Sequence, residues 1–287
     1  MHSSLLRGRR ARRHFTLIEL VVVLMILATL AGLVVSQVSS LGRSSDMAAT
    51  AKNQADLAEN LGLFFVLQKR FPQRMDSLLV SDGTAPTGVY VPMEDDGAGG
   101  LQAATGESTQ LRGLPISGPS LHADLFMGTL TNATNADYAK SFTRCGFDFV
   151  MDHDNTAANS NNSGVFERAL SGAISVAEVD ATAADGDGPS AVAQKLLPGT
   201  GGIAPTGTRI IALGVGPRSS CIPKTMLNAP IYPGCDGKYY GRYVAFFMVY
   251  ATGERATLIG VTDSYGRNPE YSIQQYNESL PDGSRQG

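Results

Sequence analysis

The chain has 287 residues, 17 % of them charged, and a formal net charge of −3 at pH 7. That length is sufficient for a buried core. Outside the first fourteen positions, 18 basic and 26 acidic residues remain. An acidic body of this kind disfavours sequence-independent nucleic-acid binding through a basic surface. The basic residues of the first fourteen positions are all arginines: Arg7, Arg9, Arg10, Arg12 and Arg13.

A hydrophobic run follows this basic segment directly. Residues 15–35 read FTLIELVVVLMILATLAGLVV, which is 21 residues with one charge, Glu19. At about 1.5 Å per residue, such a helix crosses the ~30 Å hydrocarbon core of a bilayer. Because the arginines precede the run, the positive-inside rule predicts a cytoplasmic N-terminus and a body in the periplasm or outside the cell.

Two ordinary interpretations of this run stay open, namely a secretory signal cut between Ser36 and Ser40 and an uncleaved anchor. Neither explains Glu19, because a carboxylate inside an apolar segment costs up to about 3 kcal/mol. The charge is explained if Glu19 meets a cation once the chain is assembled with others. The nearest chemically plausible cation is a free α-amine at Phe15, made by a cut just before it.

The stretch RRHFTLIEL resembles the N-terminal signal of type IV prepilins and type II secretion pseudopilins. That signal has a basic leader, a cut, and then Phe-Thr-Leu-Ile-Glu at the start of a hydrophobic helix. The resemblance implies that a membrane-embedded prepilin peptidase cuts between His14 and Phe15 and N-methylates Phe15. Glu19 then becomes the fifth residue of the mature chain. The family normally has Gly before the cut, where this chain has His14, and the difference bears on processing efficiency.

Helical periodicity continues beyond Val35 and predicts an amphipathic continuation over residues 36–72. Pro72 is expected to end it, because proline cannot continue a helix. We interpret its apolar stripe as core packing against the rest of the chain. The residues of the stripe recur at helical spacing: Met47, Ala51, Ala58, Leu61 and Phe65.

Two further segments are similar to elements of the major pseudopilin of type II secretion systems (the G-type). The pair Phe71–Pro72 and the following segment 76–80 occupy the places of an aromatic-proline pair and a short apolar element. Near the end of the chain, residues 263–269 and Tyr271 resemble an Asp-Pro-Trp-Gly-Asn-Pro-Tyr element. This chain differs there, with Ser264 and Tyr265 in the second and third places and an inserted Arg267.

The body, residues 73–287, is predicted to form a globular head. Residues 209–215, 243–251 and 257–261 are rich in β-branched and aromatic side chains, which favours strands, and residues 252–255 predict a hairpin turn. Residues 271–276 are a further candidate strand. Residues 177–208 have a low-complexity Ala, Gly, Asp and Pro composition that predicts a loop or mobile insert.

These features predict an α+β chain. The resemblance implies a pilin-like fold, with a long N-terminal helix packed on an antiparallel β-sheet and a large loop-rich insert. The first half of that helix would span the membrane. In chain order the predicted regions are a leader (1–14), a transmembrane or filament-core helix (15–35), its amphipathic continuation (36–72) and the head.

Three cysteines occur, Cys145, Cys221 and Cys235, so they cannot form a complete disulfide set. Cys221 and Cys235 enclose a short proline-rich loop and are predicted to form a disulfide in an oxidising compartment. Such a bridge would contribute about 3 kcal/mol by the loop-entropy model. Cys145 is then expected to be a buried free thiol. Two ordinary thiols at 221 and 235 stay the alternative.

Asp152 and Asp154 begin a polar stretch, DHDNTAANSNNSG, that is predicted to be a loop. Carboxylate and amide oxygens suit calcium, so these two acids are the candidate calcium ligands. The EF-hand pattern is not met, because Ala157 replaces its required glycine and Ser163 its bidentate glutamate. A solvated turn without metal stays the alternative.

Enzyme motifs are not found in the sequence. It has no nucleophile elbow, P-loop or dinucleotide fingerprint. Gly214 and Gly216 follow a predicted strand, but Pro217 and the missing third glycine disfavour a phosphate-binding loop. We therefore expect neither catalysis nor any cofactor other than the possible calcium.

The function implied by the resemblance is that of a structural subunit of a type II secretion pseudopilus or a type IV pilus-like filament. The implied partners are prepilin peptidase, other pilin or pseudopilin subunits and an inner-membrane assembly platform. The implied location is the bacterial inner membrane, crossed once. Nucleic acid is a partner only if the filament is a DNA-uptake pilus. The alternative function is a membrane-anchored periplasmic enzyme or binding protein that uses the helix as a tether.

Overall fold

A computed structural model describes residues 17–81, 85–89, 93–95, 101–103, 125–130, 132–133, 136–154, 165–181, 189–232, 240–252 and 255–263. The chain divides into two compact units, Met1–Ser45 and Asp46–Gly287. In the first unit, the described residues belong to the N-terminal part of helix α1, Leu17–Gln68. The predicted N-terminal helix is therefore present, and its last 23 residues belong to the second unit.

Helix α1 ends four residues before Pro72, where the sequence placed its stop. Lys69 adopts a positive φ of 57°, and its N–H donates to the Phe65 carbonyl at 2.8 Å. This is the left-handed termination that closes many helices. Phe71, which follows the helix, packs against two other aromatic rings. Its ring centroid lies 4.5 Å from that of Phe65 and 4.9 Å from that of Phe247.

The second unit contains the remaining elements of the fold. The principal ones are α2 (Tyr138–Arg144), α3 (Ala191–Leu196), and the strands β1 (Met75–Ser81), β2 (Pro86–Val89), β3 (Met93–Asp95), β4 (Leu101–Ala103), β5 (Leu125–Leu130), β6 (Asn132–Ala133), β7 (Ala136–Asp137), β8 (Phe149–Asp154), β9 (Val165–Ala169), β10 (Ile174–Val179), β11 (Thr208–Gly214), β12 (Val244–Tyr250) and β13 (Ala256–Thr262). A short 3₁₀ helix, Pro198–Thr200, follows α3. The three strands predicted late in the chain correspond to β11, β12 and β13.

The main sheet has the strand order β13-β12-β11-β1-β8-β9. Strand β10 also pairs with β11 and with β5, and β2 pairs with β1. The α+β class is confirmed. The predicted antiparallel sheet is corrected to a mixed one, because β1 and β8 run parallel. A parallel pair needs a crossover connection, and the segment between β1 and β8 includes α2.

Strands β11 and β12 are buried on both faces. In β11, Ile211 and Leu213 join a core cluster that includes Leu57 and Leu61 of α1. The intervening Ile210 and Ala212 join a second cluster that includes Val192 of α3. Because alternate side chains of a strand point to opposite faces, the sheet separates these two clusters. The predicted core role of the α1 stripe is thereby confirmed at Leu61.

Within the predicted low-complexity insert, residues 177–208, the described residues 177–181 and 189–208 contain regular elements that its composition did not predict. Strand β10 extends to Val179, and α3 covers one face of the sheet with Val192 and Ala193, both 0 % exposed. Ser190 caps α3, and its side chain accepts a hydrogen bond from the Ala193 N–H. Small alanine side chains gave this helix a weak apolar signal, which is why the segment resembled a loop.

Candidate functional site

The first unit presents an apolar helical surface with one acid in it. All described side chains of residues 17–32 are exposed within the chain, and Glu19 stands in the first turn of α1. An acid in that position is favoured by the helix dipole. His14 and Phe15, the predicted cleavage site, lie outside the described residues. The exposed large apolar side chains are those of Leu17, Ile18, Leu20, Val21, Val22, Val23, Leu24, Met25, Ile26, Leu27 and Leu30.

A contiguous apolar surface of this kind marks contact with a membrane or with other proteins. Within the ranges given above, no helix combines the length and hydropathy that a membrane crossing requires.

In the second unit, Asp152 lies in a buried ion pair. Its side chain is 1 % exposed, and the Arg168 Nε donates to its Oδ2 at 2.6 Å while Nη2 donates to Oδ1 at 3.0 Å. Ser77 donates a further hydrogen bond to Oδ1 at 2.6 Å. Both carboxylate oxygens are thus engaged, and the geometry is the bidentate one that arginine forms with carboxylates.

The prediction that a polar loop begins at Asp152 is wrong, and calcium binding by Asp152 and Asp154 stays a prediction. Asp152 and Asp154 are the third-last and last residues of strand β8, not the start of a loop. A calcium ion at Asp152 would have to displace Arg168 from both oxygens. Among the described residues, no group of three or more His, Cys, Asp or Glu side chains is placed to hold a metal ion.

A second buried acid, Asp76, lies on β1 and is 6 % exposed. The Tyr240 hydroxyl donates to its Oδ2 at 2.5 Å. Burial raises the pKa of Asp76 to about 6, and the Tyr240 hydrogen bond and the charges of Arg242 and Arg218 oppose that rise. Burial in a low dielectric disfavours the charged form of a carboxyl group, which gives the shift its sign.

The two glycines that the sequence placed after a strand make room for this pair. A Cβ at Gly216 would overlap the Asp76 carboxylate, and a Cβ at Gly214 would overlap the Tyr240 phenol. The Gly214–Gly216 motif is therefore a packing feature of the head. This motif was the one sequence signal of the contact between Asp76 and Tyr240. From the sequence alone, it was considered only as a possible phosphate-binding loop.

One cavity lined by described residues has a volume of about 420 Å³. Its lining includes Tyr138, Glu178, Arg209 and the segment 203–208. Arg209 Nε donates to Glu178 Oε1 at 2.6 Å, and its Nη1 donates to the Thr129 carbonyl at 2.7 Å. The two charges neutralise each other, so this cavity presents little net charge to a ligand.

Cys145 and Cys221 are both buried free thiols in the structure. The prediction for Cys145 is confirmed, and the Ala256 N–H donates to its sulfur at 2.9 Å. Burial raises the pKa of each thiol, which keeps both in the unreactive protonated form. Cys235 lies outside the described residues, so the Cys221–Cys235 disulfide stays a prediction.

Residues 9–35 match the family model of the prokaryotic N-terminal methylation motif. No curated protein and no solved structure is significantly similar to the chain. The match covers the leader arginines from Arg9, the predicted cut between His14 and Phe15, and Glu19. The chain therefore carries this motif, which is consistent with a type IV pilin-like N-terminus that prepilin peptidase processes.

Proposed function

From the N-terminal methylation motif at residues 9–35, we propose that the chain is a structural subunit of a type II secretion pseudopilus or a related type IV pilus-like filament. Prepilin peptidase cuts between His14 and Phe15, and the mature chain assembles through its N-terminal helix. The observation that carries this proposal is the motif itself, together with the exposed apolar surface that includes Glu19.

Before assembly, the proposed membrane segment is residues 15–35, of which side chains 17–32 are described. It crosses the bacterial inner membrane once, with the N-terminus in the cytoplasm and the head in the periplasm. In the filament, the same apolar side chains pack against those of neighbouring subunits. An apolar helical surface serves both environments, because neither offers water to it.

In this proposal, Glu19 is the reason that filament assembly depends on cleavage before Phe15. Cleavage creates an α-ammonium group at Phe15, and N-methylation keeps its positive charge. The Glu19 carboxylate of the same or a neighbouring subunit pairs with that cation in the filament core. Leaving either ion unpaired in a low-dielectric core costs about 3–5 kcal/mol, so an uncut chain, which has only an amide at Phe15, assembles poorly.

The second unit is the filament's exterior head in this proposal. Its two buried core clusters and the satisfied Asp152–Arg168 pair are properties of a stable structural domain. The alternative is a membrane-tethered enzyme or binding protein, and the cavity lined by Glu178 and Arg209 is the feature of the head that favours it. In that case the N-terminal segment would be replaceable by any anchor.

A segment exchange distinguishes the two functions. Residues 1–35 are replaced by an unrelated, uncleaved signal anchor, and the native and exchanged chains are expressed with prepilin peptidase and the assembly machinery. We expect the native chain in the filament fraction sheared from cells and the exchanged chain only in membranes. Equal entry of the exchanged chain into filaments would contradict the proposal, as would a native chain found solely in membranes.

A further inference from the structure

The segment Tyr240–Tyr243, which leads into β12, is attached to the sheet beside Asp76. The Tyr232 N–H donates to the Gly241 carbonyl at 2.9 Å, and the Val215 N–H donates to the Tyr243 carbonyl at 2.9 Å. At its start, the Tyr240 hydroxyl donates to Asp76 on β1. A side-chain contact to a buried acid thus connects this segment to the centre of the sheet.

The packing around this contact leaves little room for rearrangement. The Asp76 carboxylate lies over Gly216 and the Tyr240 phenol over Gly214, where any side chain would collide with them. The Tyr240 ring also meets His153 of β8 edge-on, with ring centroids 5.9 Å apart. Residues from β1, β8, β11 and the segment itself therefore meet around the contact between Asp76 and Tyr240.

The charges that face Asp76 come from two directions. Arg242 of the same segment and Arg218 after β11 attract its ionised form, but not enough to offset burial. On the β8 side, burial lowers the pKa of His153 to about 4, so that ring is neutral near pH 5 and above. The neighbouring Asp152 is paired with Arg168.

We propose that the contact between Asp76 and Tyr240 is a proton-dependent clasp, which holds the segment Tyr240–Tyr243 to the sheet in acid and loosens it near neutral pH. The device belongs to the head and goes beyond the filament function, so it stands even if that function is wrong. It makes the attachment of one partly buried segment follow the acidity of the surroundings.

The direction of the effect follows from the pKa of the carboxyl group. That pKa is about 6 when the clasp is closed, against an ordinary value of 3.8. The closed state therefore binds the proton more tightly than an open state in which Asp76 is hydrated. The stability gained from the buried neutral acid is fully present below pH 3.8 and is lost as the pH rises through about 6.

Hydrogen–deuterium exchange of the detergent-extracted chain tests the clasp. The amides to follow are those of Tyr232 and Val215, because both donate to carbonyls of the segment. Each rate is divided by the intrinsic exchange rate at its pH, giving a protection factor. We expect protection at these amides to fall about tenfold or more between about pH 5 and about pH 7.5, within the roughly hundredfold limit set by the pKa shift.

Three variants make the test specific. Asp76→Asn should abolish the pH dependence at both amides, because the group no longer titrates. Tyr240→Phe should move its midpoint to higher pH, since the ionised carboxylate loses a hydrogen-bond donor. Glu178→Gln, which neutralises another buried acid in the same head, should leave the pH dependence unchanged.

Equal protection of the native chain at both pH values would overturn the proposal. So would a native-like pH dependence in Asp76→Asn, or an unmoved midpoint in Tyr240→Phe.

Discussion

Replacing Glu19 by valine is expected to leave the chain in the membrane and to lower its incorporation into filaments at least about tenfold. The substitution removes the charge that makes membrane insertion costly, so the membrane pool should be unchanged or larger. In the filament it leaves the Phe15 ammonium group without its partner carboxylate. The measurement is the ratio of sheared-filament to membrane protein when each variant is co-expressed with the native chain.

Two control variants separate pairing from a general effect of charge. Glu19→Asp keeps the charge with a shorter reach, so its incorporation should be intermediate. Glu59→Val removes an exposed acid from the same helix, outside the apolar run, and should change incorporation much less than Glu19→Val. If Glu19→Val enters filaments as well as the native chain, the ion-pair account fails and the plain-anchor interpretation gains.

The second large effect is expected in the head, where Arg168→Ala should lower the free energy of unfolding by about 3–5 kcal/mol near neutral pH. The substitution leaves the Asp152 carboxylate, 1 % exposed, without its cation. Urea unfolding of the detergent-extracted chain, followed by circular dichroism, measures this loss.

Arg74→Ala is the matched control for this experiment. Arg74 Nε lies 2.6 Å from Glu167 Oε2, but those side chains are 53 % and 40 % exposed. A solvent-exposed pair contributes about 0–1 kcal/mol, so the control should lose little stability. Equal losses of unfolding free energy in the two variants would mean that burial does not determine how much the Asp152–Arg168 pair contributes to stability. A loss of less than about 1 kcal/mol in Arg168→Ala would refute the proposed cost of an unpaired buried carboxylate.

The elements that the sequence predicted correctly have strong local patterns. Helix α1 follows from a long apolar run and a stripe at helical spacing that ends at Phe65. Strands β11 and β12 follow from β-branched and aromatic runs. Such runs are typical of strands buried on both faces, as Ile210 and Ile211 are in this sheet.

The features that were missed depend on contacts between distant residues. Asp152 was assigned to a loop because acids usually signal solvent, but its partner Ser77 is 75 residues away and Arg168 is 16 residues away. No local pattern connects these three side chains. The burial of Asp76 against Tyr240, 164 residues further along the chain, likewise has no local signal, and only the Gly214–Gly216 spacing indicated that something packs there.

The mass and N-terminus of the membrane-extracted chain test the central claim most directly. The account predicts that residues 1–14 are absent, that the remaining 273 of the 287 residues begin at Phe15, and that the Phe15 amine carries one methyl group. Expression without prepilin peptidase should return the uncut chain. A mature N-terminus between Ser36 and Ser40, or a full-length chain in the presence of active peptidase, would contradict the account.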